Sequence, residues 1–384
     1  MDVKVLRGER QIGGNIIEVS TATTRILLDV GLELNEENQK LPDIDGLFDN
    51  ASYDAVFISH YHGDHLGLAY YIDKSIPLYI GEDSYKIVRT TDEYKRKETI
   101  KPAGFLKHCG KIVIGDITIT SFLCDHSAFD SYMILCEANG KNVLYTGDFR
   151  SNGRKSFMRL LECLPKKVDK LICEGTNLSR DFRKILRESE IESNAVDLFK
   201  KNTGPIFVLQ SSTNIDRIVT MYRAAKRTGR VFLEEVYMAE VASAVGGNIP
   251  NPKFKDVYTF ITNSKRYDLL SKYKNRIGKQ QISKLQFVMC VRSSMLKYLQ
   301  SLSQLMSFEN GLLVYSMWKG YKEKEQMKEF IDGCNSLNLR IVDLHTSGHA
   351  DAFTIRQLID NVNPNEIIPI HTTMPEWFTD KIVK

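Results

Sequence analysis

Short apolar runs of five to eight residues, closed by Gly, Asn, Asp or Pro, follow one another through the first 175 residues. "GNIIEVS", "TRILLDVG", "YDAVFISH", "PLYIG", "ITITSFLC", "SYMILCEA", "NVLYTGD" and "KLICEG" are rich in Val, Ile, Tyr and Thr, and at this length they predict strands. The charged segment "DSYKIVRTTDEYKRKE" at 83–98 predicts an exposed helix among them. From about residue 182 the pattern changes to alternating helix and strand. A helix is predicted near 181–201, the strand "PIFVLQ" at 205–210, a helix near 214–228 and then "VFLEE". Ile215, Ile218, Val219 and Tyr222 fall at i, i+3, i+4 and i+7, which puts one face of that helix on a sheet. "LQFVMC", a helix, "GLLVYSM", a charged helix near 321–337, "LRIVDLH", a helix near 352–362 and the strand "EIIPIH" continue the alternation. The whole reads as an α/β protein with a βαβ-type insert, and no repeat or low-complexity linker separates its parts.

A chain of 384 residues with 42% apolar content is long enough for one large or two medium globular domains. The first 30 residues hold no unbroken apolar core of a signal peptide, and no later run approaches the ~20 apolar residues of a membrane helix. A cytoplasmic protein with no membrane partner is expected. Seven widely spread cysteines without a C-x-x-C pair argue against a disulfide framework or a cysteine zinc finger, and they are expected to be buried thiols. The net charge of +4 is unevenly spread. Residues 251–297 hold eleven Lys and Arg against two acids, with Phe254, Tyr258, Phe260, Tyr267 and Tyr273 interleaved, which suits a polyanion carrying stackable bases and equally suits a solvated face.

Histidine placement changes the picture most. Three of only eight histidines, with an aspartate, occupy six positions in "HYHGDH" at 60–65, where a buried-type strand runs into a turn. Imidazole and carboxylate suit zinc and its neighbours, and four ligands in six residues fit two adjacent ions better than one. His126 in "CDHSAFD", Asp148 in "LYTGDFR", His345 and His349 in "HTSGHA" and His371 in "IIPIH" are distributed further along the chain. Several of these motifs repeat one arrangement, an apolar run ending in a polar residue before a turn. Strand ends on one edge form a single rim, so residues distant in sequence can meet there. Cys124, two residues before His126, shares its side by strand alternation but is better read as a core thiol.

The H-x-H-x-D-H run at 60–65, then His126, then Asp148, with Asp29 in "LLDVG" before them, closely resembles the metallo-β-lactamase fold. The later part resembles its β-CASP nucleases, with Glu174 in "LICEGTN" similar to their motif A acid, His349 in "SGHA" to motif B and His371 in "PIH" to motif C. Within that group the layout of "TSGHA", a helix and "IIPIH" is similar to ribonuclease J. The resemblance implies an αββα sandwich with an inserted α/β β-CASP domain, laid out as residues 1–175, an insert at 176–340 and a completing segment at 341–384. It implies that His60, His62 and His126 hold one divalent ion, that Asp64, His65 and His371 hold a second, and that Asp148 bridges both. Zn²⁺ is the expected metal, with Mn²⁺ an alternative. Asp29 would support the histidine loop from behind.

The activity implied is hydrolysis of phosphodiester bonds in single-stranded RNA by a two-metal-activated hydroxide, with Asp64 and Asp29 among the catalytic set. His349 would serve the leaving 3'-oxygen and Glu174 would orient it, although Glu174 also reads as a helix cap. A histidine at motif C is typical of RNA-processing members and valine of DNA-repair members, so His371 favours RNA. Ser211, Ser212, Asn214 and Arg217, which follow "PIFVLQ", resemble a backbone-gripping segment of ribonuclease J, with Ser347 a further phosphate contact; an ordinary helix cap is the plainer reading of the serines. Two departures stand out: "TTMPEW" follows His371 where ribonuclease J has Gly-Glu, and the sequence runs only 13 residues beyond His371, without that family's dimerisation domain. A stand-alone endonuclease, or one needing a protein partner or a second copy, is therefore expected as readily as a processive exonuclease. The alternatives are a hydrolase of DNA or of a small-molecule ester or phosphodiester, and a partner-dependent nucleic-acid-binding subunit.

Overall fold

The computed structural model describes residues 1–34, 40–179 and 185–379. Eighteen strands occur among them. The first eleven are β1 (Asp2–Arg7), β2 (Ile16–Ser20), β3 (Arg25–Val30), β4 (Ala55–Phe57), β5 (Leu78–Gly81), β6 (Gly104–Leu106), β7 (Gly110–Ile114), β8 (Ile117–Cys124), β9 (Ser131–Ala138), β10 (Lys141–Tyr145) and β11 (Val168–Glu174). There follow β12 (Ile206–Leu209), β13 (Val231–Glu235), β14 (Val257–Phe260), β15 (Phe287–Val291), β16 (Leu312–Tyr315), β17 (Arg340–Asp343) and β18 (Pro364–Ile370). The chain divides into two compact units, Met1–Ile185 with Gly348–Lys384, and Leu186–Ser347.

The first unit has two six-stranded sheets, in the orders β1-β2-β3-β4-β5-β6 and β18-β11-β10-β9-β8-β7. Their inner faces meet in one apolar layer. Val19, Ile26, Leu28 and Phe57 from the first sheet pack with Ile119, Ile134, Val143, Tyr145, Ile172 and Ile370 from the second, all essentially buried. Burying an aliphatic or aromatic side chain of this size contributes about 1.5–3 kcal/mol, so this layer dominates the hold between the sheets. The outer face of the second sheet packs Leu135, Leu144 and Leu171 against the helices Phe157–Cys163 and Ala352–Val362. Helix Glu82–Lys95 follows β5 of the first sheet and ends where Arg96 turns left-handed at φ +57. The result is an αββα sandwich.

Its last strand, β18, pairs in parallel with β11 from Val168↔Pro364 to Glu174↔Ile370. That register brings residue 371 level with the end of β11, although nearly 200 residues intervene.

The second unit is one sheet of six parallel strands in the order β14-β13-β15-β12-β16-β17, with helices between them. Helix Ile215–Arg227 buries Ile215, Ile218, Val219 and Tyr222, the stripe read from its spacing. The helix predicted near 181–201 spans Glu188–Lys200, and its expected start at 181–184 lies outside the described residues.

Three expectations are corrected. Cys109 and Cys163 are exposed, while the other five cysteines are buried. The aromatics of the basic stretch are largely committed to the protein: Phe260 stacks on Tyr298 with centroids 5.1 Å apart, Phe254 meets the Tyr222 edge and the Tyr273 hydroxyl donates to Glu240. Tyr267 remains exposed. Arg217 is fully buried, its guanidinium 2.9 Å from Glu188 and donating to Ser316, so it is not presented to a phosphate at the surface. Asn214 caps the same helix, accepting from the Arg217 amide at 3.0 Å. Ser211 is exposed, Ser212 is buried, and Ser347 is the last residue of the second unit.

Candidate metal centre

Six strands of the first unit end at one rim, and each delivers a polar group there. Asp29 lies in β3, Ser59 and His60 follow β4, Asp125 and His126 follow β8, Asp148 follows β10, Glu174 closes β11 and His371 follows β18. The loop after β4 turns into the short helix Gly63–Leu66, which carries Asp64 and His65. Gly31 makes room for it, because a Cβ there would stand 1.7 Å from the Asp64 carbonyl oxygen. Asp29 and His371 adopt left-handed backbone, φ +60 and +49, a conformation an L-residue holds only where its surroundings fix it.

Asp29 faces away from the centre and binds what supports it. One carboxylate oxygen accepts the Ser59 amide at 2.6 Å; the other accepts the Ser59 hydroxyl at 2.7 Å, the His65 Nδ1–H at 2.7 Å and the Tyr145 hydroxyl. The same device recurs around the rim. His60 Nδ1 lies 3.0 Å from the Ser59 hydroxyl, His126 Nδ1 2.5 Å from the Gly348 carbonyl and His371 Nδ1 2.7 Å from the Thr176 hydroxyl, which in turn donates to Glu174 at 2.7 Å. With Nδ1 carrying the hydrogen in each, the Nε2 lone pairs of His60, His65, His126 and His371 turn inward. His62 instead presents Nδ1, 3.1 Å from His126 Nε2. At that distance the two nitrogens share either one proton or one cation.

Asp148 stands at the middle. Its Oδ2 is 3.2 Å from His65 Nε2, 3.5 Å from His349 Nδ1 and 3.8 Å from the Nε2 atoms of His60, His126 and His371. Asp64 Oδ2 is 3.1 Å from His371 Nε2 and 4.0 Å from His65 Nε2. Possible ligand atoms fall into overlapping sets, each within 4.8 Å: His60, His62 and His126; Asp64, His65 and His371; and His60, His65 and Asp148. His60 Nε2, His65 Nε2 and Asp148 Oδ1 are buried without a hydrogen-bond partner. Orphaned lone pairs of this kind cost free energy unless something satisfies them, and the donor set of imidazoles and carboxylates fits first-row divalent ions.

Charge follows the same division. Burial, aided by neighbouring histidines, holds His60 and His126 well below the ordinary imidazole value and His62 at about 4, so these three imidazoles are neutral at neutral pH. His65 is pushed the other way, because Asp148 and Asp29 outweigh its burial. Burial would raise Asp64, yet the His371 contact and the nearby His65 bring it down.

Glu174 and His349 sit beside this set. Glu174 is fully buried, accepts the Phe149 amide at 3.0 Å and lies 3.2 Å from His349 Nδ1. His349 retains 21% side-chain exposure, whereas His60, His65, His126 and His371 are closed to solvent. With the half-buried His62, it is an imidazole of this rim that a substrate could reach. A buried pair, Arg150 to Asp125 at 2.8 Å, braces the turn before His126. The supporting groups Ser59, Tyr145, Thr176 and Asp125 escape sequence reasoning, though each lies within three residues of a motif position. The Cys124 thiol points at the Asp148 carbonyl, 3.7 Å away, as a core thiol would.

Residues 10–189 match the metallo-beta-lactamase superfamily, and residues 336–375 match the Zn-dependent metallo-hydrolase RNA specificity domain. The chain is 24% identical to ribonuclease J 2 of Streptococcus pyogenes, over 96% of this chain and 69% of that protein. It is also 24% identical to an RNase J-like protein of Methanocaldococcus jannaschii, over 95% and 90% of the two. Identity to a ribonuclease J of Helicobacter pylori is 27%, over 56% of this chain and 33% of that one. A crystal structure of a protein of unknown function from Enterococcus faecalis superposes with a TM-score of 0.81 over 97% of this chain and 94% of its own at 21% identity, which shows the shared fold.

Proposed function

Starting from a chain that is a metallo-β-lactamase superfamily protein and a metal-dependent hydrolase of the nuclease kind, we propose that it cleaves phosphodiester bonds of single-stranded RNA. The observation that carries the reading is the convergence of six ligand-type side chains, His60, His62, Asp64, His65, His126 and His371, with Asp148 in overlapping sets, in a chain whose segment 336–375 matches an RNA specificity domain. His60, His62 and His126 would hold one divalent ion, Asp64, His65 and His371 the other, and Asp148 both. Two such ions, Zn²⁺ or Mn²⁺, would supply water of lowered pKa and neutralise charge on the phosphoryl oxygens.

The chain's own residues do the rest. Asp29 and Thr176 accept from Nδ1 of His65 and His371, which turns the Nε2 atom of each ring to the centre. Glu174 fixes the His349 ring through Nδ1, leaving the opposite nitrogen to give a proton to the departing 3'-oxygen. RNA carries a phosphate per nucleotide, and the exposed lysines among residues 251–297 give the second unit an attraction for it that weakens with salt.

The test is cleavage of 5'-labelled single-stranded RNA and matched DNA by the purified chain with Zn²⁺ or Mn²⁺, beside an Asp64→Ala, His65→Ala double variant. RNA fragments that require metal and vanish in the double variant support the reading. Cleavage of DNA in preference to RNA, or of neither by metal-loaded protein, defeats it. Mononucleotides against internal fragments distinguish exonuclease from endonuclease action.

A further inference from the structure

Away from the metal centre, His108, Cys109 and Cys163 form an exposed cluster whose nitrogen and sulfur atoms all lie within 4.8 Å of one another. Two elements bring it together. Cys109 sits at the tip of the tight turn before β7, left-handed at φ +58, with its amide bonded to the Ser121 carbonyl at 2.7 Å and Gly110 closing the turn on Lys107. Cys163 is the last residue of helix Phe157–Cys163. His108 stands between the sulfurs, Nε2 at 3.5 Å from Cys109 and 3.8 Å from Cys163.

Its tautomer decides what the cluster can do. His108 Nδ1 accepts the Leu123 amide at 3.2 Å, so it holds a lone pair and Nε2 bears the hydrogen. An Nε2–H cannot ligate a metal without losing that proton, but it can donate to a thiolate. Burial and the facing Cys163 push the Cys109 thiol up, so Cys163 is the sulfur that reacts first as the anion, held by the shared donor, and Cys109 is the one that resolves it; thiolate character with access to solvent governs cysteine oxidation.

We propose that Cys109 and Cys163 are a redox-active dithiol that closes to an intramolecular disulfide on reaction with a peroxide, with His108 positioning the reacting thiolate. One thiolate attacks the peroxide, forming an S–O bond as the O–O bond breaks and hydroxide leaves. The second sulfur then attacks the sulfenic sulfur, forming the S–S bond and expelling the oxygen as water. Two thiols lose two hydrogens and two electrons, and hydrogen peroxide is reduced to two waters. Closure needs the sulfurs to approach to about 2.05 Å, which rotation of two exposed side chains on a turn and a helix end allows.

The experiment treats the full-length chain with hydrogen peroxide in modest excess, traps remaining thiols with a maleimide after denaturation, and maps peptides by mass. The expected result is a loss of two hydrogen masses, two fewer alkylated thiols and a Cys109–Cys163 linked peptide, all reversed by dithiothreitol. Cys109→Ser and Cys163→Ser should each abolish the link. His108→Ala should slow closure roughly fivefold to tenfold. His108→Gln, whose amide can both accept from Leu123 and donate to sulfur, should restore part of the rate, which a merely structural effect would not produce. Separate sulfinic or sulfonic acids on the two cysteines, a link to any other cysteine, a disulfide between two chains, or both thiols unchanged would overturn the proposal. The link, its mass change and its reversal by dithiothreitol are read on the wild-type chain, so a poorly folding variant does not decide the outcome.

Discussion

Asp29 shows how much one side chain can determine without touching the centre. Four donors converge on its carboxylate, from the Ser59 amide and hydroxyl, His65 and Tyr145, so it fixes both the loop after β4 and the His65 tautomer. Asp29→Ala should lower Zn²⁺ affinity about 10–100-fold while the fold persists, as loss of a group behind a ligand does elsewhere; competition with a chelating dye measures it. Tyr145→Phe removes one of the four donors and should cost less. His349 makes the opposite prediction, since the role proposed for it is to serve substrate rather than metal. His349→Ala should lower kcat on RNA about 10²–10⁴-fold with metal content unchanged, and a fall in bound metal by elemental analysis would sink that assignment. Arg217 marks where single residues could not be read. Its spacing after a strand suits a phosphate grip, but its partner Glu188 lies 29 residues earlier and only the fold brings the two together.

At the scale of strands and helices, the rim was legible because its signal is local. An apolar run ending in His, Asp or Glu, repeated in a histidine-poor chain, marks strand ends that share an edge, and Asp29, His60, His126, Asp148, Glu174 and His371 all lie at or just after such ends. The helix Ile215–Arg227 was legible for the same reason, its apolar stripe being written in its own sequence. Strands β1, β6, β7 and β14 were not. β1 alternates only between exposed and half-buried positions, and β14 is four residues inside a lysine-rich stretch, so neither carries a strong period of its own. β13 holds a further conflict: Glu234 lies fully buried in a parallel strand with neither carboxylate oxygen partnered. Burial raises its carboxyl well above the ordinary 4.5, so the folded chain keeps a proton that the unfolded chain releases. The sign follows: this contribution is fully present below pH 4.5 and is lost as pH rises towards the folded value. Glu234→Gln removes the titration. It should therefore stabilise the chain more at pH 8 than at pH 4, read from urea unfolding at both values.

For the whole molecule, the candidate metal centre is where the first unit is sewn shut, and the residues proposed as ligands make the closure. Its ligands come from before and after the second unit in sequence, and β18 must pair with β11 before His371 can reach the rim. Without cations, Asp64, Asp148 and Glu174 gather carboxylates in one buried place beside imidazole lone pairs that have nothing to satisfy them. Cations binding the folded first unit and not the unfolded chain must therefore stabilise that unit, by about 2.7 kcal/mol at a free concentration one hundred times Kd. The second unit has its own core, built on Phe207, Leu233, Phe287, Met289 and Leu313 with none of these ligands in it, so it should be indifferent to metal. Calorimetry of the full chain should then show one transition that falls when EDTA strips the metal and recovers on adding Zn²⁺, with another that stays in place. Asp148→Asn should flatten the metal response of the first transition, because the carboxylate common to both ligand sets is gone. If EDTA moves neither transition in the wild type, the rim does not bind metal strongly enough to serve as the centre described here. If it moves both together, the two units unfold as one.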